Sequence, residues 1–219
     1  MKKAIVWDWN GTLLNDVDLA LELTNKMLDK RNADQLTLEQ YKNCFSFPIE
    51  DYYRRIGFVF STKEEFLIIV QEFNCAYEKQ MEQCPLYCDE IEVLQYFREQ
   101  GYVQYIVSGL NQRDLMKAVK GKKIDDFFRK IIGSKEMDAT DKYANIVALI
   151  QKENLCNTSI VIIGDTLSDY YLAEKIRCRS VLLSQGHQSK QKLCKVDGVR
   201  VVDDFVALIE LDSMGKLYE

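Results

Sequence analysis

Short apolar runs alternate with amphipathic helical patterns, and this alternation most constrains the fold of the chain. Six runs predict strands: Ala4–Trp7, Val103–Val107, Ile131–Ile132, Ser159–Ile163, Ser180–Leu183 and Arg200–Val202. Predicted helices lie between and after these runs: Glu90–Gln100, Lys142–Glu153, Ser168–Ile176 and Asp203–Leu211. Continuously apolar strands suit a parallel sheet that is covered on both faces. The pattern therefore predicts an α/β fold with a doubly wound parallel sheet.

One long segment, residues 16–84, departs from the alternation because it has no strand pattern. Apolar residues recur there at helical spacing in two stretches, Val17–Leu28 and Phe66–Tyr77. We therefore predict a helical cap domain over residues 16–84, inserted into a Rossmann-like core of residues 1–15 and 85–219. The insertion starts a few residues after Asp8, so it can lie over the carboxyl end of the first strand, where open α/β sheets bind ligands.

Composition excludes several classes of function. The net charge is −5, and we find no unusual run of basic residues, so we expect no nucleic-acid partner. Seven cysteines at irregular spacing with a single histidine argue against a zinc site and favour reduced thiols in a cytoplasmic protein. No apolar run is long enough to suggest a membrane span. The sequence does not indicate the oligomeric state.

Four segments carry residues that could form one site. They are Asp8-Trp9-Asn10-Gly11-Thr12, Ile106-Val107-Ser108-Gly109, Lys142 after Thr140-Asp141, and Ile162-Ile163-Gly164-Asp165-Thr166-Leu167-Ser168-Asp169. Each has an ordinary structural interpretation when taken alone: a turn former, a helix cap or a surface lysine. Three segments end predicted parallel strands and the fourth begins a helix, so all can converge at one edge of the sheet.

The residue types at this edge form a coherent chemical set. Three carboxylates with backbone carbonyls suit a hard cation such as Mg²⁺. A lysine and a serine hydroxyl suit the oxygens of a phosphoryl group. The Asp8 carboxylate can attack phosphorus to form an acyl phosphate. The set predicts a site that holds a divalent cation and a phosphoryl group.

In this order and context, the four segments resemble the four motifs of the haloacid dehalogenase (HAD) superfamily. The helical insertion resembles the cap of the phosphoglycolate-phosphatase-like branch of that superfamily. Two further stretches, Phe47–Tyr53 and Gln185–Ser189, resemble members of the same branch more loosely. The resemblance covers nearly the whole chain and implies a Mg²⁺-dependent phosphatase.

The resemblance implies a role for each acidic position. Asp8 would be the nucleophile and a Mg²⁺ ligand, and the backbone carbonyl of Asn10 would also bind the metal. Asp165 would be a further metal ligand. Asp169 would support the metal or the lysine.

The resemblance also implies how the phosphoryl group is held. Ser108 and the Gly109 amide would bind the transferring phosphoryl, and Lys142 would neutralise its charge. Asp141, which precedes the lysine, is a candidate for orienting the loop.

Asn10 departs from the superfamily pattern, in which phosphatases usually have a second aspartate that protonates the leaving alcohol and later activates water. An amide cannot do this, and general acid–base catalysis typically contributes roughly 10²–10⁴-fold in rate. Three interpretations remain open. In the first, the chain is a phosphatase that has a slower proton step, a different acid or a substrate with a good leaving group. In the second, it cleaves carbon–phosphorus or carbon–halogen bonds. In the third, it is a phosphometabolite-binding or regulatory protein without turnover. Retention of the other matched residues favours an enzyme, and the acidic metal set argues against a dehalogenase.

Substrate identity would lie in the cap. Two arginines, Arg54 and Arg55, are candidates for contacting a substrate anion, and the neighbouring Tyr52 and Tyr53 are candidates for the same surface. In the alternative interpretation, the tyrosines pack in the core and the arginines are solvated. His187 lies in the loop after the fifth predicted strand. It is a candidate for substrate contact or for the missing proton carrier, but the default interpretation is a surface loop histidine.

Overall fold

The computed structural model describes residues 3–134 and 142–218, so the orienting role predicted for Asp141 lies outside the described residues. The strands are β1 Ala4–Trp7, β2 Val103–Asn111, β3 Lys130–Ser134, β4 Ile160–Gly164, β5 Arg179–Leu183 and β6 Val201–Val202. The helices are α1 Val17–Asp29, α2 Leu38–Cys44, α3 Ile49–Arg55, α4 Lys63–Glu78, α5 Glu90–Glu99, α6 Gln112–Gly121, α7 Lys142–Glu153, α8 Leu167–Ile176, α9 Lys190–Leu193 and α10 Phe205–Ser213. None of these helices is long and apolar enough to cross a bilayer.

The strands form one parallel sheet in the order β3-β2-β1-β4-β5-β6. The chain first adds strands on one side of β1 and then crosses to add β4 on the other side. The direction in which strands are added therefore reverses at β1, which confirms the predicted doubly wound α/β fold. Such a switch point leaves a crevice at the carboxyl ends of the strands, and this is where ligands bind in folds of this kind.

The central strand β1 is buried on both faces, as its unbroken apolar run predicts. Alternate side chains point to opposite faces of the sheet. Ile5 and Trp7 therefore join the cluster that includes Phe97 and Phe205, and Ala4 and Val6 join the cluster on the other face. The Trp7 ring meets Phe97 and Phe205 edge-on, at centroid distances of 5.9 and 6.1 Å. Helices thus cover both faces of the sheet at β1.

The helices between residues 17 and 78 build a separate aromatic cluster. Its fully buried rings include Tyr41, Tyr52 and Tyr53. The two arginines that follow bond within this bundle: Arg54 donates to the Phe60 carbonyl and the Glu50 carboxylate, and Arg55 donates to the Cys44 carbonyl and the Ser46 hydroxyl. The tyrosines therefore pack, and the arginines stabilise their own bundle.

The end of α2 docks on the loop of residues 184–189, which follows β5. Lys42 Nζ donates to the carbonyls of Ser184 and Gln185, at 3.1 and 3.0 Å. Gln188 Nε2 donates in the opposite direction, to the Phe45 carbonyl at 3.0 Å. These contacts hold the helical insertion over the sheet edge where β1 and β4 end.

Candidate active site

The nucleophile candidate Asp8 follows β1 directly and lies at the switch point. Its amide donates to the Ile163 carbonyl of β4 at 2.8 Å, which continues the sheet pairing by one residue. Its side chain is 16% exposed, which leaves a small opening toward solvent. Oδ1 accepts a hydrogen bond from the Trp9 amide at 2.8 Å, and Oδ2 lies 3.0 Å from Lys142 Nζ. Two contacts therefore hold this carboxylate at the crevice.

Gly11 allows the loop after Asp8 to pack against the fourth strand. Its φ is +68°, a left-handed conformation that favours glycine. A Cβ at this position would lie 2.3 Å from Asp165 Oδ2 and 2.5 Å from the His187 ring. The absence of a side chain thus brings the nucleophile loop into contact with Asp165.

Asp165 and Asp169 extend the site from the end of β4 into α8. Asp165 is buried, and its Oδ2 accepts from the His187 amide at 2.6 Å. Asp169 Oδ2 accepts from the amide and hydroxyl of Thr166, at 3.2 and 2.9 Å, and so completes the helix cap. Its other oxygen accepts from Lys142 at 2.7 Å. Asp169 therefore caps its helix and also holds the lysine.

Lys142 bridges Asp8 and Asp169. It is the first residue of α7, and its side chain is only 15% exposed. Burial lowers the pKa of the ammonium, but the Asp169 and Asp8 carboxylates outweigh that effect and raise it above the usual value. The lysine therefore stays charged at neutral pH.

Three carboxylates converge here, from Asp8, Asp165 and Asp169, with one oxygen of each within 4.8 Å of the others. Burial raises the pKa of Asp165 to about 7, and repulsion from the other two carboxylates adds to this shift. Burial also raises the pKa of Asp8, although Lys142 opposes the rise. One lysine cannot balance three carboxylates, and oxygen ligands are those that hard divalent cations prefer. The donor set fits a cation such as Mg²⁺.

Ser108 lies at the same edge, on the strand beside β1. The register pairs Trp7 with Ile106, so Ser108 stands just beyond the end of β1. Its buried hydroxyl oxygen accepts from the Leu110 amide at 3.1 Å. Asn111, not Ser108, caps α6, because its Oδ1 accepts from an amide of the first helical turn. Ser108 therefore does not cap α6.

The Asn10 amide faces a buried network that the sequence did not reveal. Its Nδ2 donates to Asp16 Oδ2 at 3.0 Å and to the Tyr77 hydroxyl at 2.6 Å. Asp16 also accepts from the Gly11 amide at 2.8 Å and from the Tyr77 hydroxyl at 2.5 Å. Its other neighbour is His187, whose Nε2 is 3.2 Å from Oδ1. Asp16, only 2% exposed, is thus the centre of the network.

The expected surface position of His187 is wrong, because the residue is 6% exposed. Its Nδ1 lies 2.8 Å from the Tyr41 hydroxyl, and its ring packs on Phe45 at a centroid distance of 5.0 Å. Burial opposes a charge on the imidazole, but the Asp16 carboxylate outweighs burial and raises the pKa of His187. His187 therefore joins the helical insertion to the sheet edge.

Comparison with known proteins places the chain among hydrolases. Residues 5–183 match the family described as haloacid dehalogenase-like hydrolase. Phosphoglycolate phosphatase of Mannheimia succiniciproducens is 23% identical over 218 residues, which cover 95% of this chain and 97% of that protein. Phosphoglycolate phosphatase of Haemophilus influenzae is 24% identical over the same length and coverage. A haloacid dehalogenase-like hydrolase from Streptococcus pneumoniae shares the fold, with a TM-score of 0.79 at 18% identity, over 96% of this chain and 98% of that one.

Proposed function

The chain belongs to the haloacid dehalogenase-like hydrolase family, and from this premise we propose that it is a Mg²⁺-dependent phosphatase of a small phosphorylated metabolite. One observation carries the proposal: the Asp8 carboxylate lies at the switch point, bound to Lys142 and beside two further carboxylates. The relatives named phosphoglycolate phosphatase support a small organic phosphate monoester as substrate. The helices of residues 16–84 would be the cap that selects it.

Asp8 would attack phosphorus and form an aspartyl phosphate, while the bond between phosphorus and the leaving oxygen breaks. Lys142, Ser108 and the Gly109 amide would hold the phosphoryl oxygens during the transfer and stabilise their spread charge. Water would then hydrolyse the acyl phosphate and release inorganic phosphate. Mg²⁺, when bound by the acidic set and the Asn10 carbonyl, would reduce the repulsion between the carboxylates and an anionic substrate.

Asn10 restricts which leaving groups the proposed enzyme handles well. An amide supplies no proton to the departing oxygen, so an alcohol must leave as an alkoxide or find another acid. Acyl phosphates and aryl phosphates release a carboxylate or a phenolate, and these leaving groups depart without a proton. We therefore expect turnover to rise steeply as the pKa of the leaving group falls, and a series of substituted aryl phosphates measures this slope.

A phosphate-release assay tests the proposal. Purified protein with Mg²⁺ should release phosphate from acetyl phosphate and p-nitrophenyl phosphate, and either EDTA or Asp8→Asn should abolish release. Activity that survives Asp8→Asn would contradict the nucleophile assignment. A broader screen of phosphorylated metabolites would then identify the substrate.

Asn10 also favours a second candidate, a phosphometabolite-binding or regulatory protein without turnover. Its amide nitrogen binds the cap residues Asp16 and Tyr77, which suits a static role as well as a catalytic one. Calorimetric binding of a phosphate ester by both wild type and Asp8→Asn, with no phosphate released by either, would support this candidate over the phosphatase.

A further inference from the structure

We propose that Asn10 and Asp16 form a matched pair that positions the nucleophile loop, so that the amide at position 10 has a positive role. The proposal rests on the proposed phosphatase function and deepens it. It makes Asp16 a positioning residue of the reaction, acting through the loop that carries Asp8. It also predicts that an aspartate introduced at position 10 alone harms the enzyme.

The hydrogen bonds around Asp16 fix which group must donate. Tyr77 has one hydroxyl proton, and it is given to Asp16 Oδ2 at 2.5 Å. The hydroxyl oxygen can then only accept, and it accepts from Asn10 at 2.6 Å. The same amide nitrogen also lies 3.0 Å from Asp16 Oδ2, so it serves both acceptors. The amide is therefore the only donor within this triangle that the Tyr77 oxygen can accept from.

An ionised aspartate at position 10 would break this arrangement. A carboxylate has no proton to donate, so the Tyr77 hydroxyl oxygen and Asp16 would each lose a donor inside a buried site. Two carboxylates would also face each other at about the distance of the present hydrogen bond. Leaving buried polar groups unsatisfied is costly, so the loop would have to move.

The loop has little room to move without disturbing the site. The Gly11 amide donates to Asp16 Oδ1 at 2.8 Å. The residue also packs so closely on Asp165 that an added Cβ would collide with that side chain. A shift of residues 10 and 11 would therefore move the neighbouring Asp8 carboxylate and disrupt the packing of Gly11 against Asp165.

The pair also joins the nucleophile loop to both ends of the helical insertion. Asp16 immediately precedes α1, with which the insertion begins, and Tyr77 is near the end of α4, its last helix. The Asn10 amide contacts both residues. The position of the loop is thus coupled to the seating of the cap.

Exchanging the two residues tests the proposal. In the double variant Asn10→Asp/Asp16→Asn, the amide at position 16 can donate to the carboxylate at position 10 and to the Tyr77 oxygen, while Tyr77 donates to that carboxylate. Each donor of the triangle is restored in mirror image. Asn15→Asp is the matched control, because it adds the same charge one residue before Asp16 and outside the network.

The four variants are compared by kcat and KM for p-nitrophenyl phosphate and, without substrate, by the urea midpoint of unfolding. We expect Asn10→Asp and Asp16→Asn each to lower kcat about tenfold or more, with KM changed less, and to lower the midpoint. The exchange should recover most of both losses, and the control should stay within about twofold of wild type.

Faster turnover by Asn10→Asp alone would overturn the proposal. A double variant whose urea midpoint is no higher than that of the less stable single variant would overturn it too. The midpoints need no substrate, so they separate this proposal from the proposed function. If no form releases phosphate, the phosphatase assignment fails, and recovery of the midpoint in the exchange still supports the pairing.

Discussion

Glu90, the first residue of α5, offers a sharp test of how burial controls stability in this fold. Its side chain is 1% exposed, and among the described residues neither carboxylate oxygen has a hydrogen-bond partner. Burial raises its pKa from 4.5 to about 8, although the Lys122 ammonium opposes the rise. We therefore predict that Glu90→Gln stabilises the protein, and that the gain grows with pH.

The sign and size follow from proton linkage. Between pH 4.5 and about 8 the unfolded chain releases the Glu90 proton, while the folded chain keeps it. The unfolded state then binds fewer protons, so the free energy of unfolding falls as pH rises and stops falling above about 8. At about 1.4 kcal/mol per pKa unit, the loss is at most about 5 kcal/mol. Glutamine carries no charge and escapes this loss.

Urea unfolding followed by circular dichroism measures the effect. Wild type, Glu90→Gln and the control Glu92→Gln are compared at about pH 5, 7 and 9. Glu92 lies on the same helix but is exposed, so its substitution should change stability by less than about 0.5 kcal/mol at every pH. The gain from Glu90→Gln should be smallest at about pH 5 and largest at about pH 9.

A constant difference across the pH range would refute the reasoning. A Glu90→Gln variant less stable than wild type at about pH 9 would refute it more directly. That result would show that the free amides at the start of α5 hold the carboxylate in its charged form, and that this attraction exceeds the cost of burial.

Further predictions concern the site. Lys142→Ala should lower kcat by about 10²-fold or more, because the nucleophile and the phosphoryl oxygens lose their cation; a loss below about tenfold in the same phosphate-release assay would contradict this role. Mg²⁺ should raise the thermal midpoint of wild type, and Asp165→Asn should reduce that rise; equal shifts by differential scanning fluorimetry would exclude this carboxylate as a ligand. Gly11→Ala should remove activity and lower the urea midpoint. Gly101 is also at positive φ but lies in open space, so Gly101→Ala should lower stability alone. Equal activities of the two variants would refute a role for the close approach of Gly11 to Asp165.

Much of the fold could be predicted because its signals are local. An unbroken apolar run such as Ala4–Trp7 predicts a buried strand wherever it occurs, and the structure places β1 at those four residues. The second strand extends past the predicted Val107 to Asn111, with a register shift over the added residues. That extension depends on pairing with β3, which no local pattern encodes.

The site was predictable to the extent that strand ends carry it. Asp8, Lys142, Asp165 and Asp169 come together because parallel strands end at one edge. The network around Asp16 was missed because its contacts join distant positions: 61 residues separate it from Tyr77, and 171 from His187. A carboxylate eight places after Asp8, at the start of an amphipathic helix, was the available signal.

The position of His187 shows why the surface expectation failed. Loop residues are ordinarily solvated, but Gly186 lets this loop approach Asp165 so closely that a Cβ there would lie 2.3 Å from its side chain. The neighbouring His187 amide then binds the same carboxylate, and its ring lies under the helical insertion. The sequence shows the glycine but not the partner that it approaches.

The seam between α2 and the loop of residues 184–189 relies largely on main-chain oxygens. Lys42 donates hydrogen bonds to the carbonyls of Ser184 and Gln185, and Gln188 donates one to the carbonyl of Phe45. Every residue type has a carbonyl, so the side chains at the three acceptor positions can diverge without removing these bonds. The sequence of this seam can therefore diverge between relatives while the insertion keeps its attachment to the sheet edge.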